Sequence, residues 1–128
     1  MTATFTTLML DCGDVIKVAG FWAAALSWEL DPDTDETGGF ISDLSGRTDG
    51  MHFQPVPEPK TAKNRLHFDL RPTGSMQEEV ERLQGLGATV RGFVEAEGSF
   101  WTQMRDPEGN EFCVLRGPDD GWEGDAHD

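Results

Sequence analysis

The chain has 128 residues, enough for one domain with a substantial hydrophobic core. Its formal net charge of −14 excludes nucleic-acid phosphates and anionic membrane surfaces as partners, because like charges repel. The two cysteines, Cys12 and Cys113, lack a metal-type spacing, and no secretion signal or long apolar run opens the sequence. We therefore expect a soluble, cytoplasmic protein with free thiols, a disulfide between the two cysteines being the less favoured alternative.

The first half of the chain predicts a strand, a helix and several short strands. Residues 4–11 are rich in β-forming residues, and Asp14 has the position of a helix N-cap. Apolar residues then recur at helical spacing from Val15 to Leu30. The segment "GGFISDLSGRTDGMHFQPV" reads as short strands separated by turns. The three prolines of "PVPEPKTAKN" exclude regular structure, so residues 55–64 are predicted to be a linker.

The second half repeats this order, beginning with "NRLHFDLRP" at 64–72. In the strand predicted at 65–71, Leu66, Phe68 and Leu70 alternate with polar residues, among them His67 and Asp69. One face of the strand is therefore apolar, and the other presents an imidazole beside a carboxylate.

A second helix is predicted after this strand. Ser75 and Glu78 have the spacing of a capping box, and a buried stripe is expected at Met76, Val80 and Leu83. Gly85 or Gly87 is expected to end the helix. Three strands follow at 88–95, 99–105 and 111–116, the last two joined by the turn "RDPEGNEF". The acidic residues 118–128 are too poor in apolar side chains to pack by themselves, and we expect a flexible tail.

The order of strand, helix and strands occurs twice, which indicates an internally repeated α+β fold; the alternative is an unrepeated α+β domain. Four segments, "DVIKVAGFWAAALSWEL", "KNRLHFDL", "ERLQGLGA" and "RDPEGNEFCVL", resemble the vicinal oxygen chelate superfamily in order and spacing. Glyoxalases, bleomycin-resistance proteins and ring-cleaving dioxygenases belong to it, and the chain is most similar to the small bacterial glyoxalase-like proteins. The resemblance covers residues 4–116.

The resemblance implies a fold of two βαβββ modules whose sheets curl around a shared cleft. We accordingly expect a single glyoxalase-like domain at 1–117, with module one at 4–57, the linker at 55–64 and module two at 65–116. A homodimer is expected by resemblance alone.

Family members that use a metal take one ligand from the first and one from the last strand of each module. By position these residues are Thr7, Gln54, His67 and Cys113, and equivalent positions lie 60 and 59 residues apart. Only His67 is a standard ligand in its usual place. We therefore expect no metal cofactor; the alternative is a divalent ion such as zinc held by His67, Gln54 and Cys113.

Strand alternation adds neighbours to these positions. His52 shares a face with Gln54, Asp69 with His67, and Glu111 with Cys113. A histidine beside a carboxylate is a possible general base, so His67, His52 and Glu111 are candidate catalytic residues, although plain solvent exposure is the favoured interpretation for His52 and Glu111. Trp101 either stacks on a ligand or packs in the core. The predicted ligand-binding cleft comprises Thr7, Gln54, His67, Asp69, Trp101 and Cys113.

Three functions fit these residues. The first is a metal-free protein that binds a small organic ligand. The second is an enzyme, either a lyase, isomerase or dioxygenase with a non-standard metal site, or an acid–base catalyst built on His67. The third is a structural or regulatory domain whose cleft is filled by its own side chains. The fold does not choose among them, because one fold hosts many functions.

Overall fold

The computed structural model describes residues 1–124 and divides them into two compact units, 1–60 and 61 onward. Residues 125–128, the end of the predicted tail, lie outside the described part. Each unit has the order strand, helix and three strands, so the α+β fold with two βαβββ modules is confirmed. In the described part, neither helix has the length and apolar character needed to cross a membrane.

The first unit contains β1 (Thr7–Cys12), α1 (Val15–Leu26), β2 (Glu29–Leu30), β3 (Gly39–Ser42) and β4 (Gly50–Pro55). The strand order is β1-β4-β3-β2, with β1 and β4 parallel. Asp14 caps α1 as predicted, since its carboxylate accepts a hydrogen bond from the Lys17 amide at 3.1 Å. Trp22, Phe53 and other apolar side chains of α1, β3 and β4 form the core of this unit.

Helix α1 ends four residues earlier than predicted. Ser27 adopts a left-handed conformation (φ 55°), and the Trp28 amide turns back to the Ala23 carbonyl. Glu29 and Leu30 are then extended and pair with β3. The helical spacing of apolar residues in the sequence therefore extends beyond the last residue of the helix.

The second unit contains β5 (Phe68–Leu70), α2 (Met76–Gly85), β6 (Thr89–Ala96), β7 (Ser99–Arg105) and β8 (Glu111–Leu115). The strand order is β5-β8-β7-β6, with β5 and β8 parallel and the other pairs antiparallel. Helix α2 buries Met76, Val80 and Leu83 as predicted, and the Ser75 hydroxyl accepts a hydrogen bond from the Glu78 amide at 3.1 Å. Its last helical residue is Gly85, and Gly87 has a positive φ of 116°.

Strand β5 is shorter than predicted, because its ladder with β8 begins at Phe68. Arg65 and Leu66 form a bend before it, and the prediction that Leu66 lies on the apolar face is wrong, since its side chain is 71% exposed. Asn64 is held instead by the β7–β8 end of the sheet: its amide donates to Glu111 Oε1 and its side chain to Asn110 Oδ1, both at 2.9 Å.

The segment after β8 differs in part from the flexible tail expected at 118–128. Pro118–Asp120 form one 3-10 turn, and the Asp120 carboxylate accepts hydrogen bonds from the amides of Met76 and Gly117. The Arg71 guanidinium lies over the Trp122 ring, 4.1 Å from its centroid. The hydrogen bond between the Met76 amide and Asp120 holds this segment against the start of α2.

Candidate ligand-binding pocket in the second module

The sheet of the second module has two different faces. Thr102, Met104, Phe112 and Val114 are buried on the α2 side. The residues that alternate with them point to the other side, where a concave pocket of about 700 Å³ opens. Its floor is formed by Asp69, Trp101, Gln103, Cys113 and Leu115, from β5, β7 and β8. Asp69, Trp101 and Cys113, three residues of the predicted cleft, thus line one surface.

One wall of the pocket is the hairpin between β6 and β7. Ala96 pairs with Ser99, which leaves Glu97 and Gly98 as a two-residue turn. Both have positive φ, 53° and 82°, as a type I′ turn requires. Because this turn is short, the wall is set by the sheet and does not depend on a long loop. His67 and Arg116 complete the lining.

Gln103, Cys113 and Asp69 form one row across the floor. Gln103 pairs with Cys113 in the antiparallel β7–β8 ladder, and Cys113 pairs with Asp69 in the parallel β5–β8 ladder. Burial raises the pKa of the Cys113 thiol, and the charge of Asp69 and its hydrogen bonding to the thiol raise it further, while Lys63 and Arg91 oppose the shift. At neutral pH the side chain is therefore a protonated thiol and not a nucleophilic thiolate.

The donors of this pocket do not fit the family's metal ion. No three His, Cys, Asp or Glu side chains within residues 1–124 are grouped so that they would hold a metal ion.

A second, much smaller cavity of about 20 Å³ adjoins the first and shares His67, Gln103 and Cys113 with it. Its remaining lining includes Lys63, Arg91 and Glu111. Sequence reasoning did not single out Lys63 or Arg91. Lys63 lies in the linker, where no periodicity applies, and Arg91 lies where the β6–β7 register shifts between Val90 and Gly92. A bulge of this kind changes which face a residue occupies, so alternation alone does not place Arg91.

The other predicted site residues belong to the first module. His52 and Gln54 are exposed and alternate with the buried Met51 and Phe53, so they share one face of β4 as predicted. The Gln54 side-chain amide donates to Asp11 Oδ1 at 2.7 Å, and the His52 ring lies 4.5 Å from that of Phe40. Thr7 is half-buried at the start of β1. That these residues share a cleft with His67 stays a prediction.

The strand register makes different residues of the two modules equivalent from those suggested by the sequence spacing. Thr7 pairs with Gly50 in β1–β4, and Phe68 pairs with Phe112 in β5–β8. If Thr7 corresponds to His67, the ladders match Cys113 with His52 and not with Gln54. The two candidate counterparts of Cys113, His52 and Gln54, are two residues apart and therefore lie on the same face of β4. The register changes which residue is equivalent but not the face on which it lies.

A family model described as "Glyoxalase-like domain" matches residues 7–115. The chain therefore belongs to the glyoxalase-like family, within the vicinal oxygen chelate superfamily. A search of curated proteins found no significant sequence match.

Several solved structures share the fold. The fosfomycin resistance protein FosX from Listeria monocytogenes has a TM-score of 0.69 at 14% identity, over 91% of this chain and 94% of that chain. Lactoylglutathione lyase from Agrobacterium tumefaciens has a TM-score of 0.62 at 19% identity, over 89% and 93% of the two chains. A mutant FosX, with a TM-score of 0.72 at 14% identity over 91% and 92%, was solved with Mn(II) and dihydroxypropylphosphonic acid. At these identities the likeness establishes the fold alone.

Proposed function

We propose that this protein binds a small organic ligand in the pocket of its second module, without the metal ligands of the family. The observation that carries the proposal is a pocket of about 700 Å³ in which Trp101 and Leu115 lie beside the polar side chains of Gln103 and His67. Ligand sites of this size combine apolar walls with a few polar groups that orient the ligand. The homodimer and the cytoplasmic location stay predictions based on the sequence.

Trp101 is the residue best suited to bind an apolar, planar part of a ligand. It is half-buried in β7, between the pairing partners Val94 on β6 and Leu115 on β8, so the sheet fixes its position. A rigid indole ring offers a large contact area at small entropic cost. The polar row that includes Gln103 lies two residues further along β7 on the same face, within reach of a polar substituent.

The experiment is a titration of chelator-treated protein with 2-naphthamide, a neutral planar probe, followed by NMR. We expect binding without metal, and a loss of about tenfold in affinity for Trp101→Ala, which corresponds to about 1.4 kcal/mol of lost stacking and apolar contact. Trp28→Ala is the matched control, because Trp28 lies in the first module and does not line the pocket. Binding that disappears on chelation and returns with Mn(II) would overturn the metal-independent proposal.

A second candidate function is acid–base catalysis by His67. His67 lines both cavities, and Asp69 lines the larger cavity on the same side of the sheet. Transfer of a proton to or from a bound ligand would need an imidazole that reaches the ligand. His67→Gln separates the two functions: ligand affinity that falls less than about threefold while turnover disappears supports the enzyme.

A further inference from the structure

We propose that the small cavity beside the pocket is a carboxylate-binding subsite, so that the ligand is a planar organic acid whose carboxylate is held by Lys63 and Arg91. This inference rests on the proposed binding function and deepens it, because it names the chemical class of the ligand.

The first support is the position of the two cations. Lys63 lies in the segment before β5 and Arg91 at the bulge of β6, yet both line the same small cavity. The chain has only 10 lysines and arginines against 24 acidic residues, so two cations at one cavity stand out from an acidic surface. Clustered cations in an acidic protein provide a local attraction for an anionic group.

The second support is that residues 1–124 leave these cations available. Neither the Lys63 ammonium nor the Arg91 guanidinium makes a hydrogen bond or ion pair with residues 1–124. The two nearby carboxylates, in contrast, have partners: Glu111 Oε1 accepts from the Asn64 amide at 2.9 Å, and Asp69 interacts with Cys113.

The third support is the size and connection of the cavity. A volume of about 20 Å³ accommodates one oxygen-sized group. The cavity shares His67, Gln103 and Cys113 with the pocket that contains Trp101. A ligand with its ring at Trp101 and one carboxylate oxygen in the small cavity would occupy both.

The experiment compares naphthalene-2-carboxylate with 2-naphthamide, which has nearly the same shape and no charge. We expect the carboxylate to bind about tenfold more tightly to the wild-type protein at low ionic strength. The double variant Lys63→Ala/Arg91→Ala should lose this preference while its affinity for 2-naphthamide changes less than twofold. Both side chains are exposed, so the variant is expected to fold.

The matched control is Lys17→Ala/Arg47→Ala, which removes the same charge from exposed positions of the first module. This variant should keep the carboxylate preference, because a general effect of net charge would appear in both double variants. Equal affinities of the two probes, with a Trp101-dependent affinity for both, would overturn the subsite and leave the binding function intact. Absence of Trp101-dependent binding of either probe would overturn the binding function itself.

Discussion

Asp69 and Cys113 are direct partners across the parallel β5–β8 ladder, so a carboxylate and a thiol lie side by side on the pocket floor. This relationship predicts the reactivity of the thiol. Because burial and Asp69 raise the pKa of Cys113, the wild-type thiol should be alkylated slowly by iodoacetamide at pH 8. Asp69→Asn removes the negative charge, lowers the pKa and should speed alkylation by about threefold or more.

Lys63→Ala should have the opposite effect, because Lys63 lowers the pKa of this thiol. The measurement is the initial rate of modification at Cys113, resolved by peptide mass mapping. Cys12 provides an internal control, since it is 3% exposed and reports only unfolding. Equal rates in the wild type and in Asp69→Asn would contradict the electrostatic coupling.

The loop between β3 and β4 is predicted to contribute a pH-dependent part of the stability. Hydrogen bonds from the Ser45 side chain, then from the Ser45 and Thr48 amides, lower the pKa of Asp43 from 3.8 to about 2. A carboxyl whose pKa is lower in the folded state stabilises the fold above its unfolded value, and this stabilisation is lost as pH falls through the folded value.

The difference in Tm between the wild type and Asp43→Asn should therefore be constant above about pH 5 and shrink between about pH 4 and pH 2. Thermal unfolding followed by circular dichroism at a series of pH values measures it. Glu36→Gln is a suitable control, because Glu36 is exposed and the hydrogen bonds around Asp43 do not involve it. A Tm difference that persists unchanged at pH 2.5 would contradict the prediction.

Sequence reasoning predicted the secondary-structure elements better than it predicted the residues that line the small cavity. Alternation is a local property; it predicted that Asp69 shares a face with His67, and both residues line the pocket. It failed where a strand departs from regular pairing: β5 begins at Phe68, and the bulge near Arg91 moves a cation to the small cavity. Lys63 reaches that cavity from an irregular segment, which no periodicity describes.

The register between modules shows a second limit. Sequence separations of 60 and 59 residues between the modules suggested that Gln54 corresponds to Cys113. In the structure, however, the sequence separation between paired residues differs by one between the β1–β4 and the β5–β8 ladders. The amino-acid sequence contains no sign of this difference, because hydrogen-bond pairing between strands that are distant in the chain depends on the tertiary structure.

Gly50 is predicted to be essential at the start of β4. Its φ is +143°, and a Cβ atom added there would overlap the Ile41 carbonyl oxygen. Gly50→Ala should therefore lower the free energy of unfolding by about 3 kcal/mol or more, since both the backbone conformation and the pairing of β3 with β4 are affected. Urea unfolding measures the loss.

Gly46→Ala is the matched control for this glycine. Gly46 also has a positive φ, +78°, but an added Cβ meets open space. Its cost should be about 1 kcal/mol, from the backbone conformation alone. Similar losses of unfolding free energy for the two variants would show that the clash of the added Cβ atom with Ile41 contributes little.

The last prediction concerns the attachment of the C-terminal segment to α2. Asp120 Oδ2 accepts hydrogen bonds from the Met76 amide at 2.7 Å and the Gly117 amide at 2.8 Å. The Met76 amide belongs to the first turn of α2, where a negative charge is also favoured by the helix dipole. Asp120→Asn should therefore destabilise the protein by about 1–2 kcal/mol in urea unfolding.

Asp119→Asn removes the same charge one residue earlier and is the control, because Asp119 is exposed and its backbone amide, not its carboxylate, bonds to Gly74. It should cost less than about 0.5 kcal/mol. Truncation after Asp119 should reproduce the loss seen for Asp120→Asn, and truncation after Trp122 should not. If both truncations left the free energy of unfolding unchanged, residues 120–122 would contribute nothing to stability, and the hydrogen bonds of Asp120 would be offset by the cost of ordering the segment.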